Sequence, residues 1–421
     1  MKNVLFISYN FPPMLNVASL QAYTYVRHLQ KYDWNPHVLT VKKGDWWEPV
    51  DNSLMGKIPP VVHVSRTRYF NINYMSLLLR YFPSSIPVRI IEKVGACLPP
   101  DGQIGWLPFA YRQAMRIVRS QRIDAIYTLS APYTSHLIGY LVKRKTGIPW
   151  VAHFGDEWTQ NPNRRYPFVW QRRVDAWLER LTLDSADQIV LAWAGMESLF
   201  PIEISAKSSV VTLSFEETDF RSPANERKGE NKFCITYTGS LYSYRIAINF
   251  LKAMEELLAE KKLAINKVDL LFIGRARSIA FTGFENSHVS QVVRCIGMIS
   301  HDQIVGYLKQ ASVLLLIMDQ LDRATYCIQG KTFEYIASGT PILALGPQDS
   351  ATSELIRRTK TGIVVNYEDI EGIKKAILNM YTKWGNGELS IEPNWQEIGK
   401  NEARVVTMKL AQTLDHIIGG C

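Results

Sequence analysis

Short apolar runs separated by amphipathic stretches set the pattern of this chain. Val4–Ile7, His37–Val41, Asp124–Leu129, Pro149–Ala152 and Ala186–Leu191 form a first series. Lys232–Thr238, Val268–Ile273, Val292–Ile296, Val313–Met318, Ile342–Leu345 and Ile363–Val365 form a second. Such continuous runs predict strands buried on both faces, and helical spacing between them predicts strand–helix alternation with parallel sheets. Helices are expected over 19–31, 174–183, 304–310, 353–360, 369–384 and 401–418. The alternation stops in the polar run Glu216–Glu230 and then restarts, so two α/β domains are expected, 1–205 and 206–394, followed by a C-terminal helix in 395–421. In open parallel sheets ligands bind beyond the carboxyl ends of the strands. That singles out the loop after the first strand with Asn16 and Ser19, Ser130, and His153–Trp158. Gly239, Gly274 (followed by Arg275) and Gly297 (followed, two on, by Ile299) close three successive strands of the second series. Glycines there suit a close backbone approach to a ligand.

The most informative stretch is Tyr326–Leu345. Phe333, Ile336 and Ala337 share one helical face, Gly339 supplies a left-handed stop, and Pro341 forces extended chain. Gln329, Gly330, Lys331 and Thr332 therefore lie at a helix N-terminus, where backbone N–H groups and the helix dipole favour an anion such as phosphate. Glu334 stands one turn in, able to accept from hydroxyls. The plain alternative is that Lys331 and Glu334 form a surface i, i+3 ion pair. Gly330-Lys331-Thr332 is not the end of a P-loop, because the required preceding glycine is Thr325.

Composition narrows the picture. A chain of 421 residues, 47% hydrophobic, is globular and long enough for two cores. The five cysteines are scattered without metal spacing, which fits a reducing cytoplasm. The first apolar run reads as a strand and not a signal peptide, and no run is long enough to span a membrane. The net charge of +9 points to acidic partners, with no nucleic-acid motif present. Between Arg66 and Arg122 nine basic residues face two acidic ones, interleaved with leucine and aromatic residues. This segment is either a surface for anionic membrane or a pair of core helices with solvated basic edges.

G-K-T-F-E-Y-I-A-S-G-T-P-I-L-A-L, from Gly330 to Leu345, resembles the nucleotide-sugar signature of GT-B glycosyltransferases, in particular the family 4 (group 1) retaining enzymes. Glu334 matches the glutamate that holds the ribose; Tyr326 stands where the family has its first glutamate. Pro149–Trp158 resembles the family's loop at the reacting sugar, with His153 and Asp156 on its histidine and acid positions and Gly155 in place of its arginine. Near the donor diphosphate, Ser240 replaces the usual arginine and Arg245 lies close to the lysine position. The resemblance covers nearly the whole chain.

It implies an α/β GT-B fold: two Rossmann-like domains with parallel sheets facing across a cleft, and a C-terminal helix crossing back to the first domain. It implies transfer of a sugar, with retention, from a nucleotide-diphosphate sugar to a sugar or lipid-linked acceptor in polysaccharide or glycoconjugate biosynthesis. In that reading His153 and Asp156 are catalytic. Gly239, Arg245, Gly274, Arg275, Gly297, Ile299, Gln329, Gly330, Lys331, Thr332 and Glu334 bind the donor, and Asn16, Ser19 and Ser130 lie on the acceptor side. No Asp-x-Asp occurs, so neither metal nor cofactor is expected. The expected place is the cytoplasm, with peripheral contact at the inner membrane face. The rival readings are a nucleotide-sugar 2-epimerase of the same fold and a non-catalytic nucleotide-sugar binder. A nicotinamide dehydrogenase is disfavoured because no G-x-G-x-x-G appears.

Overall fold

A computed structural model describes residues 1–42, 50–70, 98–221, 232–241, 247–275, 281, 283–318 and 325–419. Arg245 and residues 71–97 of the basic segment lie outside the described residues. The chain divides into two compact units, 1–212 together with 403–421, and 213–402.

The first unit is built on strands β1 (Lys2–Ser8), β2 (Trp34–Val41), β3 (His63–Thr67), β4 (Ala125–Ser130), β5 (Trp150–Phe154), β6 (Gln188–Leu191) and β7 (Ser208–Val210). They form one sheet in the order β3-β2-β1-β4-β5-β6-β7, parallel throughout. Helices α1 (Val17–His28), α2 (Leu107–Ser120), α3 (Thr134–Thr146) and α4 (Val169–Ser185) connect them. The core packs Phe6, Tyr25, Trp34, Tyr127 and Val151 against Val406, Leu410 and Leu414. Those last residues come from the final helix, 403–419, so the C-terminal helix belongs to the first unit's core. Within the basic segment, α2 buries Ala110, Ala114 and Ile117 and exposes Arg112, Arg116 and Arg119. It is an ordinary packed helix with a solvated basic edge.

The second unit carries β8 (Phe233–Thr238), β9 (Val268–Ile273), β10 (Val293–Ile296), β11 (Val313–Ile317), β12 (Ile342–Leu345) and β13 (Gly362–Val365). Their order is β10-β9-β8-β11-β12-β13, again all parallel. Helices α5 (Ile248–Ala259), α6 (His301–Gln310), α7 (Gly330–Ser338), α8 (Ala351–Thr359) and α9 (Ile370–Gly385) flank it. Every residue of the four strands β8, β9, β11 and β12 is buried. Sheets covered on both faces need such continuous apolar runs. Helix α7 stops at Gly339, whose φ is 69°. A short helix, Trp395–Gly399, remains with the second unit, with Trp395 against Gly339 and Glu397 paired to Arg358.

In both sheets the strand order reverses once, between β1 and β4 and between β8 and β11. These are the switch points where crevices form in doubly wound folds.

Candidate functional site

In the second unit the chemistry gathers at the carboxyl end of β8. Gly239 follows that strand with φ +109° and Gly274 follows β9 with φ +124°. A Cβ on Gly274 would lie 2.6 Å from the carbonyl oxygen of Gly239, and one on Gly239 would lie 3.0 Å from Lys331 Nζ. Backbone and lysine thus converge where a side chain would intrude. Gly297 differs in its protein surroundings: a Cβ there would meet no protein atom within 4 Å. Ile299 packs partly buried on Cys234, Leu271 and Ile273, and Arg275 is exposed, with its carbonyl accepting from Leu241 N at 3.2 Å.

Lys331 lies in the first turn of α7. Its Nζ donates to the Thr238 carbonyl at 2.6 Å and sits 3.9 Å from the centroid of the Tyr237 ring, a cation–π arrangement. Gln329, the residue before the helix, gives its amide N–H to the Ile317 carbonyl of β11 at 3.0 Å and does not cap the helix with its side chain. Thr332 is fully buried, while Gly330 is half-buried. Tyr335 on the same helix meets β8, its hydroxyl accepting from Thr238 N at 2.9 Å. Burial raises its pKa above the ordinary tyrosine value.

Glu334 does not pair with Lys331 as the plain reading of an i, i+3 pair supposes. Its Oε1 accepts from His301 Nε2 at 2.8 Å. The other ring nitrogen, Nδ1, lies 3.7 Å from Asp219. Burial alone would lower the His301 pKa, but the carboxylates of Glu334, Asp219 and Asp302 override it and raise it to about 9. His301 opens α6, directly after Ser300, whose N–H donates to Gln303 Oε1 at 3.1 Å.

The first unit's candidates gather around its own switch point. Asn16 caps α1, its Oδ1 accepting from Ser19 N at 2.9 Å, and its Nδ2 donates to Asn10 Oδ1 at 3.1 Å. Asn10 in turn donates to the Ala131 carbonyl at 2.7 Å, lacing the loops after β1 and β4 together. Ser19 and Ser130 are buried; Ser130 Oγ donates to the His153 carbonyl at 3.3 Å. A Cβ on Gly155 would come 2.5 Å from the Ser130 carbonyl oxygen, so these two loops touch through backbone.

His153 requires a correction. It is expected just past the strand end, but β5 extends to Phe154 and places the imidazole inside the fold, with no exposed surface. Its Nδ1 meets the Tyr127 hydroxyl at 2.5 Å, and the Tyr25 ring lies nearby, tilted by 37° with centroids 5.9 Å apart. Burial lowers its pKa to about 3, so the ring is neutral and cannot touch a substrate from where it lies. Asp156, half-buried after the strand, is the acid of that loop with access. Arg164, further along the same loop, pairs with Asp175. Sequence reasoning overlooked His301, Asn10 and Tyr237. His301 had one usable signal, its place between the Gly297 loop and a helix start.

Two all-parallel sheets, each reversing once and each ringed by helices, with a C-terminal helix returned to the first unit, define the GT-B class. The group 1 glycosyl transferase model matches residues 232–383, and the glycosyl transferase 4-like domain model matches residues 80–201. The chain belongs to the group 1 glycosyl transferases and is an enzyme of glycosyl transfer. No curated protein sequence matches it. Solved structures are similar in fold. Sucrose-phosphate synthase from Thermosynechococcus elongatus aligns at TM-score 0.70 and 14% identity over 100% of both chains. HepE of Anabaena, in complex with UDP and glucose, aligns at TM-score 0.67 and 14% identity over 99% of this chain and 100% of that one. An α,α-trehalose-phosphate synthase from Burkholderia xenovorans, in complex with glucose-6-phosphate, aligns at TM-score 0.63 and 12% identity over 98% and 100%. Among the described residues no helix is long and apolar enough to cross a membrane.

Proposed function

We propose that this glycosyltransferase takes its sugar from a nucleotide-diphosphate sugar and passes it, with retention and without a metal ion, to a saccharide or lipid-linked acceptor in polysaccharide or glycoconjugate synthesis. One observation carries the reading. Lys331, in the first turn of α7, is held against the carboxyl end of β8 by the Thr238 carbonyl and the Tyr237 ring, next to Gly239, whose φ of +109° disfavours any side chain. As the acceptor oxygen bonds to the anomeric carbon, the bond to the diphosphate breaks and the acceptor's proton passes to the departing diphosphate. Charge then builds on the leaving oxygens, where Lys331 and the N-terminal N–H groups of α7 stabilise it. Glu334, one turn on and fixed by His301, accepts from the ribose hydroxyls. In the first unit Asp156, and not the buried His153, orients the acceptor hydroxyl. The solved structure of HepE with UDP makes uracil the first base to try.

The test is calorimetry with UDP and the other nucleoside diphosphates, beside turnover with matched donor and acceptor. Glu334→Ala should weaken nucleotide binding by about 1.5–3 kcal/mol, the range for a hydrogen bond to a charged group. Lys331→Ala should lower affinity and rate together. Unchanged affinity in both folded variants refutes the donor site. Turnover of donor without acceptor, giving an epimerised nucleotide sugar, replaces this reading with the epimerase.

A further inference from the structure

We propose that the outward face of α4, with Phe168 ahead of it, docks on an anionic lipid surface. A surface helix ordinarily turns its apolar stripe inward and its charges outward. Helix α4 does the reverse. Its buried side carries Gln171, Asp175, Glu179 and Thr182 beside Leu183. Its exposed side carries Val169, Trp170, Arg172, Arg173, Trp177 and Arg180, which fall in one arc at about 100° per residue. Val169 is 72% exposed, Trp170 52%, Trp177 62% and Phe168 54%. Phe168 stacks on Trp170 with centroids 6.4 Å apart.

The inward polar side has a local purpose. Asp175 takes the Tyr166 hydroxyl at 2.8 Å and the Arg164 guanidinium, Glu179 takes Thr159, and Gln171 takes Phe168 N at 3.0 Å. These bonds tie the loop after β5 onto the helix. The outward aromatics take no part in that network.

Size and charge select the occupant. A helix of 17 residues is about 25 Å long and about 10 Å wide, far short of the roughly 800 Å² per partner of a stable protein interface. A membrane sets no such minimum. Arg165, Arg172 and Arg173 are exposed with no ion pair among the described residues, and Asp184, the acid on this face, is bound to Arg180 at 2.8 Å. Indole rings seated at headgroup depth with arginines over lipid phosphates match this mixture. The surface lies on the first unit and the donor-binding residues on the second, so nucleotide affinity serves as an internal control.

The experiment is co-sedimentation of the full chain with phosphatidylcholine–phosphatidylglycerol vesicles and with phosphatidylcholine alone. Wild type should bind the anionic vesicles and leave them as salt rises. Arg172→Gln with Arg173→Gln should lower partitioning about thirtyfold. Trp170→Ala with Trp177→Ala should lower it at least about tenfold. Both should keep wild-type nucleoside diphosphate affinity. Three results overturn the proposal: no sedimentation of wild type at low salt; sedimentation undiminished in both double variants; or dimers by light scattering that the tryptophan pair abolishes, without vesicle binding.

Discussion

Replacing His301 by glutamine tests the acid–histidine–acid arrangement behind the proposed ribose contact of Glu334. Burial opposes the imidazolium, but Glu334 at 2.8 Å, with Asp219 and Asp302, raises its pKa from 6.5 to about 9. That rise corresponds to roughly 3 kcal/mol at about 1.4 kcal/mol per pH unit. A folded-state pKa above the unfolded value means the stabilisation is fully present below pH 6.5 and is lost as pH rises through about 9. Glutamine keeps a donor but no charge. The expected result is therefore a stability difference between wild type and His301→Gln of up to roughly 3 kcal/mol near pH 6, vanishing near pH 10. Urea unfolding of the full chain measures it, with hydrogen exchange on α6 and α7 assigning the change to the second unit. Nuclear magnetic resonance of the imidazole gives the midpoint directly. In Glu334→Gln, which removes the nearest carboxylate, that midpoint should fall. A difference independent of pH, or a wild-type midpoint near 6.5, would refute the reasoning.

Other consequences are equally concrete. His136 and His153 are both buried with pKa values lowered to about 3, so the first unit should be stable above pH 6.5 and lose stability progressively on acidification below it, visible as a falling urea midpoint. Asp156→Asn should leave nucleotide affinity nearly intact and cut turnover by about 100-fold or more, the low end for a positioned catalytic group; near-normal turnover would remove Asp156 from the reaction. Gly239→Ala, at φ +109° and 3.0 Å from Lys331 Nζ, should cost about 1–3 kcal/mol and weaken nucleotide binding. Gly297→Ala, with no protein atom within 4 Å of the added methyl, should leave stability unchanged.

Much of the fold was legible because a parallel sheet covered on both faces demands continuous apolar strands, and runs such as Val313–Ile317 and Ile342–Leu345 have no other economical use. The helix at Gly330–Ser338 was readable for a similar local reason: spacing, stop and proline all agree within a few residues. Pairings across long separations were not readable. Glu334 has a lysine three residues before it, yet its partner is His301, 33 residues away, because β11 lies beside β8 and sets α6 against α7. The fate of His153 turned on where β5 ends. Two further residues of pairing with β4 and β6 draw the ring into the core, and an apolar core keeps it neutral. Even the polarity of α4 inverts the sequence rule, since the polar loop after β5, and not the sheet alone, is what its inner side must satisfy. Local periodicity fixes which segments become strands and helices; only the packed sheet order decides which side chains meet, and therefore which charges exist at the site.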